Sequence, residues 1–151
     1  MGHEAEHFSA GSRKVIIPYN GWNICLQVCY DLRFPVWSRN VNNEYDLLIY
    51  VASWPTPRIQ AWNTLLCARA IENQSFIVGV NRSGKDRTLT YSGDSMLVSP
   101  TGEILAHLTG GNELAVVEID PKDAEAYRAE FPLKEDRKED LYSRFFEETK
   151  A

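Results

Sequence analysis

Cys29 closes an apolar, strand-patterned run, NICLQVCY, and stands directly before the charged turn Asp31-Leu32-Arg33 and Pro35. A strand that turns sharply into a helix presents its last side chain at the carboxyl edge of a sheet. Backbone N–H groups just beyond it can hold an oxyanion. The dipole of a following helix also favours the thiolate form of such a cysteine. This spacing suits nucleophilic acyl transfer, with Asp31 and Arg33 crowding the same turn with charge. A buried, inert thiol remains the competing reading, as for any cysteine in an apolar strand. Cys25 lies deeper on the same strand face and Cys67 falls inside a helical pattern, so both read as inert core thiols.

A thiol nucleophile needs a base. His107, in the strand-like EILAHL, makes a Cys–His dyad conceivable, although a half-exposed strand histidine explains it without chemistry. His3, Glu4 and His7 have a spacing that can hold a metal on a helix, but no further ligand accompanies them, and no cofactor is implied. Arg69 and Glu72, in ARAIENQ, close a long helix just before a core strand. They read either as structural pins beneath the site or as residues of a solvated helix face. Trp54 follows another buried strand at the same sheet edge as Cys29, where it either walls a pocket or caps the core.

The elements that must carry these groups follow from hydrophobic periodicity. Residues 14–19 and 23–30 predict two strands joined at Asn20-Gly21, a strong hairpin signal. Pro35 starts a short helix. The run 46–53, DLLIYVAS, is continuous enough to be a buried parallel strand, which Pro55 and Pro57 end. Helical spacing covers 58–74, and 75–81 is a second buried strand. After a polar loop, 88–100, 103–108 and 113–119 predict three further strands. Asp120-Pro121 supplies the N-cap and first-turn proline of a helix ending near Phe131. Strands alternating with helices imply a layered α/β fold.

The 151 residues, 44% apolar and 25% charged, suit one globular domain with a substantial core. A net charge of −5, from 16 basic and 21 acidic residues, argues against nucleic acid as a partner. The longest apolar run, 47–52, is far short of a membrane span. Cys25 and Cys29, on one strand, would hold their Cα atoms ~13 Å apart, beyond disulfide reach. Three unpaired cysteines point to a reducing, cytoplasmic location.

At QVCYDLRFP the chain resembles the nitrilase, or carbon–nitrogen hydrolase, superfamily. Further matching segments follow in order: YDLLIYVASWP, WNTLLCARAIENQSFIVGVNRSG, YSGDSMLVSPTGEILA and FPLKEDRKEDLY. Together they run nearly continuously from Glu4 to Tyr142, with the closest likeness to the ω-amidase branch, whose members hydrolyse the terminal amide of 2-oxo acids. The resemblance implies the C-terminal half of an α-β-β-α sandwich over residues 1–142, followed by a charged tail over 143–151. It implies Cys29 as nucleophile, Tyr30 as backbone oxyanion donor, and Glu4, seven residues before Gly11, as the supporting glutamate. Arg33, Trp54 and Arg58 are candidates to meet a substrate carboxylate or wall its pocket. Asp31, Arg69 and Glu72 are candidates for structural support near the site.

The family's general-base Glu and its oxyanion-stabilising Lys find no match in these residues. Three accounts are open: a start placed at an internal Met, a truncated gene, or a second chain that supplies the other half. The expected partners are a small-molecule amide and a second copy of the chain, with neither nucleic acid nor membrane. The competing expectation is a non-catalytic, oligomerising remnant of the same fold.

Overall fold

The computed structural model describes residues 6–110 and 113–148. Its backbone is one six-stranded sheet with the longest helix packed on one face. The strands are β1 (Val15–Tyr19), β2 (Trp22–Val28), β3 (Leu47–Ala52), β4 (Phe76–Asn81), β7 (Ser95–Val98) and β8 (Ile104–Leu108), lying side by side in that order. A separate two-stranded ribbon pairs β5 (Ser83–Lys85) with β6 (Thr90–Ser92). The helices are α1 (Pro35–Ser38), α2 (Ile59–Asn73), α3 (Pro121–Glu130) and α4 (Glu139–Glu148).

The first hairpin follows from its turn residues. Asn20 and Gly21 take φ of 46° and 82°, the left-handed pair that matches the natural twist of two antiparallel strands. β2, β3 and β4 then run parallel, with Cys25 opposite Leu48 and Leu48 opposite Ile77. α2 supplies the crossover and packs on the face bearing Leu48, Tyr50 and Ile77, all fully buried together with its own Trp62 and Leu66. Contact is closest at Gly79, where an added Cβ would lie 2.5 Å from a Leu66 methyl and 2.7 Å from the Trp62 ring.

The other face has the same apolar character and is largely open. Val15, Ile17, Leu26, Val28, Val51 and Val80 are each between 41% and 61% exposed. Register places Leu26 beside Val15 and Val28 beside Val51, which in turn faces Val80, so these side chains form one continuous surface. At its amino end Trp22 meets Phe76 edge to face at 5.7 Å, and toward β8 Ala115, Val117 and Ile119 line a cavity with Val78, Val80 and Leu97.

Most expected elements are present, and four readings are corrected. Residues 113–119 are not a strand: among the described residues they have no ladder partner, and Leu114 and Val116 stand almost fully in solvent. Alternating apolar residues make a strand only where another edge supplies hydrogen bonds. The span 88–100 is two strands, broken where Gly93 and Asp94 take φ of 81° and 59°. The polar loop before it contains β5, which pairs with β6. In the charged tail, α4 runs unbroken through Tyr142, with Leu141, Tyr142 and Phe145 on its apolar side.

Two arginines tie the C-terminal elements to the amino edge of the sheet. Arg128 on α3 pairs with Asp46 at 3.1 Å and donates to the carbonyls of Tyr45 and Gln74 and to Ser75 Oγ, each at 2.9 Å. Arg137 donates to the carbonyls of Asn40 and Glu72 at 2.9 and 2.8 Å. Buried charge of this kind is tolerated because every bond is made to a fixed partner.

Candidate active site

β2 ends at Val28, and Cys29 begins a 3-10 turn that runs to Arg33. Cys29 has φ of 44°, a left-handed conformation that costs a side-chain-bearing residue about 1–3 kcal/mol and persists where neighbours enforce it. The enforcing contacts are visible. Asp31 accepts the Val28 N–H through its carboxylate at 2.9 Å, and its carbonyl accepts the Phe34 N–H at 2.9 Å. From beneath, Arg69 on α2 donates to the Leu32 carbonyl at 2.6 Å and to Glu72 Oε1 at 2.9 Å. Arg69 is nearly buried, and its Nε has no hydrogen-bond partner among the described residues. The pin reading of Asp31, Arg69 and Glu72 thus has a specific geometry: one clamps the strand end and the other two hold the turn.

The three thiols differ in setting. Cys29 is half-buried against the core. Cys25 is fully buried, and desolvation pushes its thiol up to about 11, against a smaller opposing pull from Lys14. Burial also raises the Cys67 thiol. Cys25 and Cys67 are therefore both held protonated at neutral pH.

Around the carboxyl ends of β3 and β4, Trp54 is only 3% exposed. Its ring leans on Trp62 at 5.4 Å, its Nε1 donates to the Arg58 carbonyl at 2.7 Å, and the Arg33 guanidinium lies 4.8 Å above its centroid. Trp54 thus packs against Trp62 and carries the Arg33 guanidinium on its ring. Arg58 is exposed at the start of α2, where its N–H closes a turn on the Pro55 carbonyl at 2.9 Å. Tyr30 is half-exposed beside Phe34, with ring centroids 5.3 Å apart. Glu4 lies outside the described residues.

His107 does not join Cys29. It sits on β8, separated from β2 by β3, β4 and β7, which at the usual strand spacing is roughly 19 Å. Its Nε2 instead meets Asp94 Oδ1 at 3.0 Å. No group of three metal-binding side chains occurs among the described residues. Nor is any described helix long and apolar enough to cross a membrane.

Sequence reasoning missed Asn81 and the β5–β6 ribbon. The ribbon leans on the turn Thr56–Arg58, where Thr56 Oγ1 donates to the Thr90 carbonyl at 3.0 Å. Arg82 lies 4.4 Å over the Tyr91 ring, and the Tyr91 hydroxyl donates to Asp86 at 2.8 Å. Two backbone N–H groups and that hydroxyl hold the Asp86 carboxyl well below the usual carboxylate range. A polar residue ending the buried run SFIVGVN at the same edge as Cys29 was the available signal for Asn81.

Residues 2–129 match the family model described as carbon-nitrogen hydrolase. The chain belongs to the carbon–nitrogen hydrolase family. Among characterised members of that family, it is 46% identical over 141 residues to omega-amidase YafV of Escherichia coli, covering 92% of this chain and 55% of that protein. It is 37% identical over 139 residues to 2-oxoglutaramate amidase of Bacillus subtilis, covering 90% of this chain and 53% of the relative. The chain thus spans about half the length of the curated relatives it matches. Its fold matches a carbon–nitrogen hydrolase superfamily protein of Xanthomonas campestris, solved with an arsenic adduct in its active site. The TM-score is 0.85 at 38% identity, over 90% of this chain and 54% of that one. An amidase from Nesterenkonia, seen with the acetamide moiety of fluoroacetamide added covalently at its active-site cysteine, matches with TM-score 0.78 at 25% identity, over 93% of this chain and 51% of that one.

Proposed function

We propose that this chain carries the nucleophile-bearing part of an ω-amidase-type site, which cleaves the amide of a small carboxylate-bearing substrate through a thioester on Cys29. The observation that carries the proposal is the left-handed Cys29 at the end of β2, clamped by Asp31 and Arg69 in a carbon–nitrogen hydrolase chain. The covalent adduct at the Nesterenkonia cysteine supports the same chemistry here.

In this reading the Cys29 thiolate attacks the amide carbonyl, and the C–N bond breaks as the tetrahedral centre collapses. The Tyr30 N–H faces the developing oxyanion. Ammonia departs with a proton, and water cleaves the thioester to release the acid. Arg33, which rests on Trp54, and Arg58 are the charges assigned to the substrate's carboxylate. The proton transfers need a base beyond Asp31, whose carboxylate is committed to the Val28 N–H. The family's general-base Glu and its Lys belong in that role, and Glu4 in a supporting one.

Two measurements test this. Alkylation of the intact chain, followed by peptide mapping, is expected to modify Cys29 first. Ammonia release from 2-oxoglutaramate by the 151-residue chain alone is expected to be lower than that of a full-length relative by the ~10²–10⁴ that acid–base catalysis contributes. Strong, Cys29-dependent turnover by the isolated chain would refute the requirement for an outside base.

A second reading rests on the surface formed by α1 and α4, where Val36, Trp37, Leu141 and Tyr142 are exposed. A second copy seated there gives a homodimer, and in the limit an assembling remnant without turnover. Sedimentation of the chain and of Leu141→Lys separates the cases. A rapidly alkylated Cys29 favours the enzyme, whereas a slow one in a stable dimer favours the remnant.

A further inference from the structure

The carboxyl edge holds one buried polar side chain that the chemistry above does not use. Asn81 ends β4 and is 6% exposed. Its Oδ1 accepts the Trp54 N–H at 2.6 Å. Its Nδ2 donates to the Trp54 carbonyl at 3.0 Å and to the Gly93 carbonyl at 2.6 Å. Gripping both polar groups of one residue, the carboxamide stands in for a strand peptide and extends the β3–β4 pairing past the Ala52–Asn81 register. The three bonds call for one acceptor and two donors at this reach, which a carboxamide supplies and a carboxylate or hydroxyl does not.

What the grip fixes is Trp54, and Trp54 in turn is the platform under the Arg33 guanidinium. Such cation–π contacts orient a side chain that would otherwise sample many rotamers. Arg33 is the fourth residue after Cys29, a backbone rise of about 8 Å along a 3-10 turn, which sets the scale of its charge's reach to the thiol.

We infer that Asn81 is a positioning residue for Arg33: by fixing Trp54, it sets the preference of the Cys29 site for anionic acyl groups. This rests on the reading of Cys29 as nucleophile and Arg33 as the charge that meets the substrate carboxylate.

The test uses two probes of similar size, iodoacetate and iodoacetamide. In both the Cys29 thiolate displaces iodide, and only the probe's charge differs. The rate ratio at Cys29 is read by peptide mass in the 151-residue chain. A unit charge about 8 Å away in water biases the approach of an anion about twofold. Arg33→Gln should therefore lower the iodoacetate-to-iodoacetamide ratio about twofold. Asn81→Ala should reproduce most of that loss, and the double variant should add nothing further. High salt should shrink the wild-type preference. Trp54→Phe approaches the same contact from the other end and should also lower the ratio, which keeps the test decisive if Asn81→Ala melts below the assay temperature.

A purely structural Asn81 would change both rates in equal proportion and leave the ratio intact, which overturns the inference. Additive losses in the double variant, or an unchanged ratio in Trp54→Phe, do the same. A wild-type Cys29 that alkylates no faster than Cys67 overturns the nucleophile reading itself, and shows before any variant is made.

Discussion

The two faces of the six-stranded sheet are built from the same residue types and have opposite fates. Under α2, Leu48, Tyr50 and Ile77 are sealed against Trp62 and Leu66, with Gly79 as the point of closest approach. On the other side, Val28, Val51 and Val80 stand about half exposed. Apolar patterning states which surfaces need cover, and the crossover helix decides which one receives it within this chain.

The contrast can be broken from either side. The largest expected effect is on the sealed face, where Leu48→Ala should cost about 2–5 kcal/mol of stability in denaturant unfolding. Gly79→Ala should cost about 1–3 kcal/mol, because its methyl group meets Leu66 and Trp62 with no room to move. Loss of less than a few tenths at either site would show that α2 is loosely seated.

A third expectation concerns pH. Cys25, protonated in the sealed face with its thiol pushed to about 11, has an ordinary value of 9.0. Its raised value contributes stability that is complete below pH 9 and lost as pH rises through 11. Burial also raises the hydroxyls of Tyr45 and Tyr50, so they add to the loss at still higher pH. The melting temperature should thus be flat up to pH 8.5 and fall above pH 9, and Cys25→Ala should make that fall shallower. An unchanged slope in Cys25→Ala would assign the loss to the tyrosines alone.

The smallest stability effect belongs to the open face. Val51→Lys should change unfolding free energy by no more than about 0.5 kcal/mol, as surface substitutions do. It should nevertheless reduce self-association measured by light scattering. A large loss of stability there would mean that the face is covered in solution.

How far the sequence could be read divides along similar lines. The Asn20-Gly21 hairpin, the three parallel strands, α2 and the cysteine elbow all rest on local signals such as turn chemistry, periodicity and proline placement. The elbow's identity also came through family likeness, as CYDLRFP. Residues 113–119 carry an equally clear strand pattern and form no strand, because pairing depends on an edge that local sequence does not contain. Asn81 escaped notice because its role lies entirely in which carbonyls it reaches, 12 and 27 residues away. The β5–β6 ribbon was hidden by glycine and charge, and α4 by charge, which read as loop until a fold gives them something to lean on.

The arginine contacts of α3 and the segment after it lie at the edge of the sheet opposite Cys29. Force applied through the C-terminal helix would therefore load Arg137 and Arg128, whose partners include the residues flanking the amino ends of β3 and β4. A chain tethered by that end to a bead or an electrode would turn its thiol toward the surrounding solution. The strain of attachment would fall on the Arg128–Asp46 ion pair and on the hydrogen bonds of Arg137 to backbone carbonyls.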